Sequence, residues 1–235
     1  ASTPESAAPY RTLPNGRDGT RLTNIELPIA IGLRLGLPVA APGTCECQQP
    51  LDVYGDHALS CNRGVERLRR HDELNARIRD SLNEAGSLSI LEPAGLAARD
   101  ARRFDGVTVA AYERGRPMAW DATVIHTCAP SHLHASAVTA RAAAASAEAR
   151  KQNKCADLSV QYDFRPFGAE TLGAFGPQAL DLVESMSART FNQCGDPGTR
   201  SRILRRLAAA IQAGNARRIV EAHSRAHQER LRAAP

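Results

Sequence analysis

Lys151 and Lys154, three residues apart in the segment EARKQNKC, are the only lysines of the chain, which otherwise uses arginine. A lysine is a compact point charge whose pKa responds to burial, whereas the planar arginine guanidinium stays charged. Two lysines can fall together by chance. The functional alternative is that one amine works beside acidic groups elsewhere in the sequence, so those groups come next.

Two apolar, β-rich segments, 103–112 and 118–127, contain Asp105 and Asp121. The turn ERGRP between them predicts a hairpin with the aspartates at similar depth, where cross-strand side chains can come within roughly 5 Å. An acid among apolar residues needs a partner or a metal, and a divalent cation relieves the repulsion of two close carboxylates. Glu92, after the preceding strand, could add a third oxygen. The alternative is that each aspartate pairs with an arginine.

Two or three carboxylates near a lysine can hold Mg²⁺ or Mn²⁺, activate a water and stabilise charge that develops on a phosphate. The residues alone therefore point as far as metal-assisted hydrolysis of a phosphodiester. In that hypothesis Asp105, Asp121 and Glu92 bind the metal, and Lys151 or Lys154 positions the water or neutralises the phosphate.

Three of the six cysteines are clustered with a histidine, as Cys45, Cys47, His57 and Cys61. Three thiolates and an imidazole are a full tetrahedral set for a structural zinc, which leaves no open position for catalysis. The Gly55–Asp56 turn would bring the second pair of ligands back to the first. The alternative is three buried cysteines and a surface histidine, and the sequence favours zinc.

A second group of potential ligands spans a strand end and the start of the next helix. Its members are His126, Cys128, His132 and His134. One metal would have to bend this junction sharply, so we interpret them as polar residues around a strand-to-helix turn.

The spacing of apolar and turn residues predicts a mixed α/β domain with an open sheet. The expected elements are helices in 26–39 and 65–86, a strand at 87–91, the hairpin, a helix from Ser131 to about Ser159, one or two strands in 161–172, a helix from Pro177 to about Thr190, and a basic helical region from Ser201 to Leu231. The arginines between Arg200 and Arg232 either contact DNA phosphates or lie on a solvated helix.

The composition allows a real core and leans towards a polyanionic partner. Hydrophobic residues make up 43% of 235 residues, and the net charge is +5. No apolar run approaches the roughly 20 residues of a membrane span, so no membrane contact is expected. The polar beginning without Met predicts that the chain is a fragment of something longer.

Seven motifs after the Cys/His segment occur in an order that resembles the C-terminal region of non-LTR retrotransposon polyproteins. They are RRHDELN, LEPAGL, RRFDGVTV, AWDATV, EARKQNK, FGAETLGAFGP and RLAAAIQAGNA. In that family a reverse transcriptase is followed by a CCHC zinc-binding segment and a restriction-enzyme-like endonuclease of the PD-(D/E)xK type. The resemblance runs from about Leu33 to Ala216.

The resemblance implies that Asp105 is the aspartate of the family's R-P-D motif and that Asp121 is the second metal-binding acid. It also implies that the catalytic lysine comes from the helix that follows, where Arg150, Lys151 and Lys154 match an R-K-x-x-K-Tyr segment. Either lysine fits this pattern.

Three further positions bear on the resemblance. Phe104 stands where the family has the proline of R-P-D, and Cys155 stands where it has a tyrosine. These departures make a loss of activity conceivable. Glu170 matches a family acid, and we interpret it as a strand-end glutamate that bonds to backbone or arginine.

The expected organisation is a flexible lead and short helix (1–40), a zinc module (41–64), a restriction-endonuclease-like domain (65–195) and a basic helical extension (196–235). The expected function is a Mg²⁺-dependent endonuclease that nicks target DNA to prime reverse transcription. Double-stranded DNA, the element RNA and the reverse transcriptase domain are the implied partners, and the nucleus is the implied location. The alternatives are a nucleic-acid-binding module that has lost catalysis, or a junction resolvase, which does not explain the zinc segment.

Overall fold

The structure is a computed structural model that describes residues 3–11, 13–93, 104–156 and 160–233, with side chains described as far as residue 225. Parts of the LEPAGL and RRFDGVTV motifs lie outside these residues, as do the end of the helix predicted for 131–159 and the side chains of Arg230 and Arg232.

Eight α-helices and six strands are present in the described part of the chain. The helices are α1 (Pro4–Ala7), α2 (Glu26–Leu35), α3 (Asp56–Ser60), α4 (Glu66–Glu84), α5 (Pro130–Val138), α6 (Ala142–Lys154), α7 (Pro177–Cys194) and α8 (Thr199–Ala233). The strands are β1 (Gly43–Thr44), β2 (Pro50–Leu51), β3 (Ser89–Leu91), β4 (Gly106–Glu113), β5 (Arg116–Ile125) and β6 (Asp163–Glu170). None of the described helices is both long enough and apolar enough to cross a membrane.

Strands β3 to β6 form one mixed sheet in the order β3-β4-β5-β6. The pairs β3–β4 and β4–β5 are antiparallel, whereas β5 and β6 are parallel. The parallel pair requires a crossover, and α5 and α6 provide it. The predicted mixed α/β fold with an open sheet is therefore confirmed, and β1 and β2 form a separate small ribbon.

The main core lies between the sheet and the helices α4, α7 and α8. Trp120 from β5 and Phe167 from β6 are fully buried in it. Helix α4 contributes its apolar stripe, and α8 contributes a stripe of its own with a four-residue spacing. These helical residues are Leu74, Ile78, Leu82, Ile203, Leu207 and Ile211.

Helix α8 is a core helix, so the expectation of a basic extension over 196–235 is wrong for its described side chains. Ile203, Leu207 and Ile211 are at most 1% exposed. The packing of α8 against α2, α4 and α7 joins it to the preceding domain. The apolar stripe buries the helix, while the numerous arginines project beside it.

The arginines of α8 are engaged by protein groups rather than by solvent alone. Arg206 is buried and pairs with Glu84 at 2.8 Å, and Arg217 pairs with Glu26 at 2.9 Å and also contacts Glu73. Arg225 pairs with Glu46 at 2.9 Å. These bonds satisfy the guanidinium groups within the fold, which weakens the expectation that α8 binds phosphates along its described length.

The start of the chain also differs from the predicted flexible lead. Glu5 in α1 is 2% exposed and accepts a hydrogen bond of 3.0 Å from Nε of Arg141. Ser6 is buried as well, and its carbonyl accepts a bond of 2.8 Å from Arg34. A buried glutamate needs such a partner, and this ion pair holds residues 3–10 on the domain.

The single helix predicted for 131–159 is wrong, because the structure has two helices there. Helix α5 ends at Val138, and Arg141, with φ of 70°, turns the chain before α6 begins. The buried carboxylate of Glu170, at the end of β6, accepts the backbone N–H groups of Ala143 and Ala144 at 3.1 and 3.2 Å. Glu170 therefore bonds to backbone, as interpreted, and stabilises the new helix start.

A second buried glutamate fixes the middle of α6. Glu148 is 1% exposed and accepts N–H groups of Gly168, Gln178 and Ala179 at 3.0, 3.0 and 2.9 Å. These donors belong to β6 and to the first turn of α7. Since α6 carries both lysines, Glu148 and Glu170 together determine where the lysines stand relative to the sheet.

Gly176→Ala is expected to lower the free energy of unfolding by about 1–3 kcal/mol. A Cβ at Gly176 would lie 2.3 Å from the carboxylate of Glu148, so that carboxylate must leave its buried N–H donors. Chemical denaturation measures the change. Gly16→Ala is the control because no atom lies within 4 Å of its added Cβ. Equal stability of the two variants would contradict the anchoring role of Glu148.

Candidate active site and metal centre

The hairpin places Asp105 and Asp121 side by side, although the register shifts twice between the turn and the aspartates, between Ala111 and Glu113 and between Val107 and Ala111. Gly106 pairs with Trp120 in the antiparallel ladder, and the next step of that register sets Asp105 opposite Asp121. Asp105 lies one residue before β4 and not within it. The indole of Trp120 lies over Gly106, where an added Cβ would come within 2.0 Å of the ring, so only glycine fits beside the first aspartate.

Asp105 is held by two donors on one oxygen. Its Oδ2 accepts the backbone N–H of Ala122 at 2.6 Å and Nε2 of His71 at 3.0 Å. Burial opposes the ionisation of Asp105, but the bonds from His71 and Ala122 outweigh it and lower the pKa of the carboxyl group. Asp105 is therefore an ionised acceptor at neutral pH.

Asp121 is bonded to Lys151, whose Nζ contacts Oδ1 of the aspartate. The two side chains are about one-quarter exposed, so the pair is partly shielded from water. Burial raises the pKa of Asp121, Lys151 opposes this, and the neighbouring charge of Asp105 adds to the rise. Two close carboxylates with a single ammonium group leave negative charge at the site.

The other two predicted site residues are placed differently. Lys154, one turn beyond Lys151, is exposed. Glu92 lines a cavity of about 230 Å³ together with Asp105. Among the described residues, however, the carboxylates of Glu92, Asp105 and Asp121 do not form a group whose oxygens all lie within 4.8 Å of one another. The structure thus brings Asp105, Asp121 and Lys151 together and leaves Glu92 and Lys154 outside that group.

His71 is a site residue that the sequence analysis missed, although the motif RRHDELN contains it. It lies on α4, which packs against the sheet, and reaches Asp105 across 34 residues of sequence. Its bond to Asp105 raises the pKa of His71, against the opposing effect of burial. The spacing of His71 and Asn75, one helical turn apart, was the available signal.

A polar groove of about 380 Å³ opens beside the site. One wall is the end of the Cys/His segment, residues 59–62, and the other is α4 with Arg67, Arg70 and His71. Residues 123–126 at the end of β5 form the floor. Arg67 is exposed, and the described residues place no carboxylate within salt-bridge distance of it. The groove therefore runs from the Cys/His segment to His71, the partner of Asp105, with positive charge along one side.

The predicted zinc ligands Cys45, Cys47, His57 and Cys61 come together, with their ligand atoms all within 4.8 Å of one another. Sγ of Cys45 and Sγ of Cys61 are 3.8 Å apart, and Sγ of Cys47 is 3.2 Å from Nε2 of His57. A tetrahedral site with Zn–S bonds of about 2.3 Å has sulfur-to-sulfur edges of about 3.8 Å. The cluster could therefore hold a metal such as zinc.

The thiol chemistry fits a cation. Burial raises the pKa of Cys45 to about 11, and the close thiol of Cys61 adds to the rise. Such a thiol does not ionise readily alone, whereas a bound divalent cation deprotonates a coordinating thiol. This donor set of soft sulfur and imidazole nitrogen is typical of zinc.

Hydrogen bonds to Asp52 and from Arg218 hold the Cys/His segment in place. Asp52 accepts N–H groups of Tyr54, Asp56 and His57 at 2.9, 3.0 and 2.7 Å, which fixes the turn before α3. Arg218 of α8 donates to the carbonyl oxygens of Ala58 and Cys61, each at 2.6 Å from Nη2. The loop is thereby attached to a core helix.

The second group of potential ligands is only partly assembled. His126 bonds Oδ1 of Asp56 through Nε2 and Oγ1 of Thr171 through Nδ1, each at 3.0 Å. Asp56, His126 and Cys128 lie within 4.8 Å of one another, without His132 or His134. Both nitrogens of His126 have partners, so the group ties the Cys/His segment to the end of β5 by hydrogen bonds.

The two positions that depart from the family pattern share one small apolar cluster. Phe104 and Cys155 are each 5% exposed and pack in a cluster with Val107, Ala119 and Phe164. The family pattern has a small proline and a large tyrosine at these positions, whereas this chain has a large phenylalanine and a small cysteine, so the two side chains fill the shared space in the opposite way. Phe104 precedes Asp105 in the chain and the N–H of Cys155 bonds the carbonyl oxygen of Lys151 at 3.0 Å, so the packing of this cluster supports both segments.

Comparison with known proteins adds no assignment. No protein-family model matches the chain, and no curated protein is significantly similar to it. The functional argument therefore depends on the geometry of the residues themselves.

The carboxylate oxygens of Asp105 and Asp121 are suitable ligands for a hard divalent cation. Lys151 engages Oδ1 of Asp121, and both donors to Asp105 engage its Oδ2, so each carboxylate keeps one oxygen outside these bonds. Carboxylate oxygens are the preferred ligands of Mg²⁺ and Mn²⁺. A cation between them would also relieve the repulsion from Asp105, which adds to the effect of burial in raising the pKa of Asp121.

Proposed function

We propose that the protein is a metal-dependent DNA endonuclease that hydrolyses one phosphodiester bond at the paired aspartates. The observation that carries the proposal is the convergence of Asp105, one residue before β4, and Asp121 of β5 with Lys151, which bonds Asp121 from the crossover helix. Two carboxylates and an ammonium group in a partly shielded site can hold a divalent cation and stabilise charge that develops on a phosphate, as phosphoryl transfer requires.

In this proposal each residue has a separate role. Asp105 and Asp121 would hold Mg²⁺ or Mn²⁺ through their carboxylates, and the cation would supply neutralisation of phosphate charge and a lower pKa for a water. Lys151 keeps its ammonium group beside Asp121, where it stabilises charge that grows on the scissile phosphate. The Ala122 amide holds Asp105 in place. Positive charge on Arg67 draws the DNA backbone towards the groove.

The wider setting of the proposal comes from the resemblance of the motifs. The domain would be a PD-(D/E)xK endonuclease of a non-LTR retrotransposon, with zinc in the Cys/His cluster. It would nick target DNA so that the free 3′-hydroxyl primes reverse transcription. Its partners would be double-stranded DNA, the element RNA and the reverse transcriptase of the same polyprotein, and it would act in the nucleus.

A second candidate is a nucleic-acid-binding module that keeps the nuclease fold but has lost catalysis. The observation in its favour is that Phe104, next to Asp105, and Cys155, one turn after Lys151, replace two residues of the family pattern and are both buried. The bond between Lys151 and Asp121 argues against it, since a decayed site has no need of a partly shielded amine opposite two acids.

Nicking of supercoiled plasmid tests the proposal. The native chain should convert plasmid to the open circle with Mg²⁺ or Mn²⁺, and Asp121→Asn should abolish nicking while DNA binding is kept. Asp181→Asn, an exposed acid on α7, is the control and should nick like the native chain. If the native chain binds DNA but nicks with neither metal, with its reverse transcriptase present, the binding-module alternative replaces the proposal.

A further inference from the structure

We infer that His71 is a positioning residue of the metal centre, whose Nε2–H holds Oδ2 of Asp105 so that Oδ1 faces the cation. This inference rests on the proposed function and names a group that the motif resemblance does not assign. His71 lies on α4, Asp105 lies one residue before β4, and Nε2 of the histidine is 3.0 Å from Oδ2 of the aspartate.

The carboxylate of Asp105 can rotate about its Cβ–Cγ bond unless its two oxygens have different hydrogen-bond partners. Two donors converge on Oδ2, the Ala122 amide at 2.6 Å and Nε2 of His71 at 3.0 Å. An ionised carboxylate only accepts hydrogen bonds, so Nε2 must carry the hydrogen. One donor fixes the position of Oδ2, and the second fixes the rotation of the carboxylate plane. Oδ1 is then the oxygen presented to a cation.

The imidazole is itself held by a chain of contacts from the core. Nδ2 of Asn75 lies 3.3 Å from both ring nitrogens of His71, a position over the ring face. Nε1 of Trp120 donates to Oδ1 of Asn75 at 3.0 Å. Because an indole only donates, the amide oxygen faces Trp120 and the amino group faces the imidazole. Asn75 and Trp120 are both buried, so the ring is aimed from a rigid base.

His71 acts through Asp105 and not as a ligand. Among the described residues, no group of three ligand atoms within 4.8 Å of one another contains His71. A hydrogen-bonded partner that orients a ligating carboxylate typically contributes about 10- to 100-fold to metal affinity. That contribution gives the inference a readout that does not depend on nicking.

Mn²⁺ binding by isothermal titration calorimetry tests this role directly. His71→Ala should weaken Mn²⁺ binding by about 10- to 100-fold, and His71→Gln, which keeps an N–H donor, should recover part of the loss. His134→Ala, at an exposed histidine on α5, should bind Mn²⁺ like the native chain. In nicking assays His71→Ala should raise the KM for Mn²⁺ and leave kcat at saturating Mn²⁺ near the native value.

The outcomes separate this role from the proposed function. If Mn²⁺ affinity depends on Asp105 and His71 but DNA is never nicked, the positioning role stands and the endonuclease fails. If Asp121→Asn abolishes nicking while His71→Ala binds Mn²⁺ like the native chain, the endonuclease stands and the positioning role is overturned. If His71→Ala and His71→Gln lose Mn²⁺ affinity to the same extent, and both also lose thermal stability, His71 has only a structural role. That result also overturns the positioning role. A native chain that binds no Mn²⁺ overturns both.

Discussion

Lys151→Ala is expected to lower the rate of DNA nicking by about 10²- to 10³-fold, whereas Lys154→Ala should leave most of the rate. The two residues lie on one helix and carry the same charge, so they make a matched pair. Nζ of Lys151 bonds Asp121, while Lys154 is exposed one turn further along. Loss of Lys151 removes the ammonium group that bonds Asp121, and loss of Lys154 removes an exposed one.

Single-turnover nicking with saturating Mn²⁺ is the measurement, because it separates chemistry from product release. Lys151→Arg adds a second comparison. Its planar guanidinium is larger than an ammonium group and cannot take the same position, so a rate between those of the native chain and Lys151→Ala is expected. A loss in Lys154→Ala that equals or exceeds the loss in Lys151→Ala would contradict the placement of Lys151 as the working amine.

The proximity of Asp105 and Asp121 could be predicted from the sequence because it is local, whereas their direct pairing could not. The turn pairs Glu113 with Arg116, and counting from that pair alone would set Asp105 opposite Val124. Two register shifts, between Ala111 and Glu113 and between Val107 and Ala111, bring Asp105 opposite Asp121 instead. The Cys/His cluster is local in the same sense, since all four residues fall within 17 positions. Both predictions needed only short-range geometry.

His71 and Glu148 could not be predicted in this way, because their roles depend on how helices dock on the sheet. His71 meets Asp105 across 34 residues, and Glu148 meets Ala179 across 31. No local rule gives such contacts. The sequence also could not show which of Lys151 and Lys154 lies beside Asp121, because Glu148 and Glu170 set the rotation of α6 about its axis.

The role of α8 was mispredicted although its signal was present in the sequence. Ile203, Leu207 and Ile211 repeat every four residues, as expected of one buried helical face. The many arginines suggested a basic arm. Long arginine stems can cover apolar surface while their heads pair with acids, so arginine content alone does not indicate an exposed helix.

Removal of metal from the Cys/His cluster is expected to unfold the segment 43–64 and to leave the main sheet folded. Structural zinc contributes about 10–16 kcal/mol of apparent binding free energy in small peptides, which equals or exceeds the entire stability of a typical domain, about 5–15 kcal/mol. The segment has a small apolar core of its own, with Leu51, Leu59 and Ile219 of α8, which is too little to replace that contribution.

Metal content and hydrogen exchange test this expectation together. The native chain should carry one zinc, and Cys61→Ser should lose it, whereas Cys194→Ser, at an exposed cysteine of α7, should keep it. After chelation, exchange should accelerate in segment 43–64, in α2 and in α8 around Ile219, because these elements share one apolar cluster. Exchange in β4, β5 and β6 should stay slow.

The coupling between the two sites follows from the same contacts. Residues 59–62 line the same groove as His71, the partner of Asp105, and Asp56 bonds His126 at the end of β5. Chelation should therefore weaken DNA binding as well as unfold the segment, while Mn²⁺ binding at Asp105 and Asp121 remains. Loss of Mn²⁺ binding on zinc removal, or uniform exchange throughout the chain, would mean that the Cys/His cluster stabilises the whole domain rather than one wall of the groove.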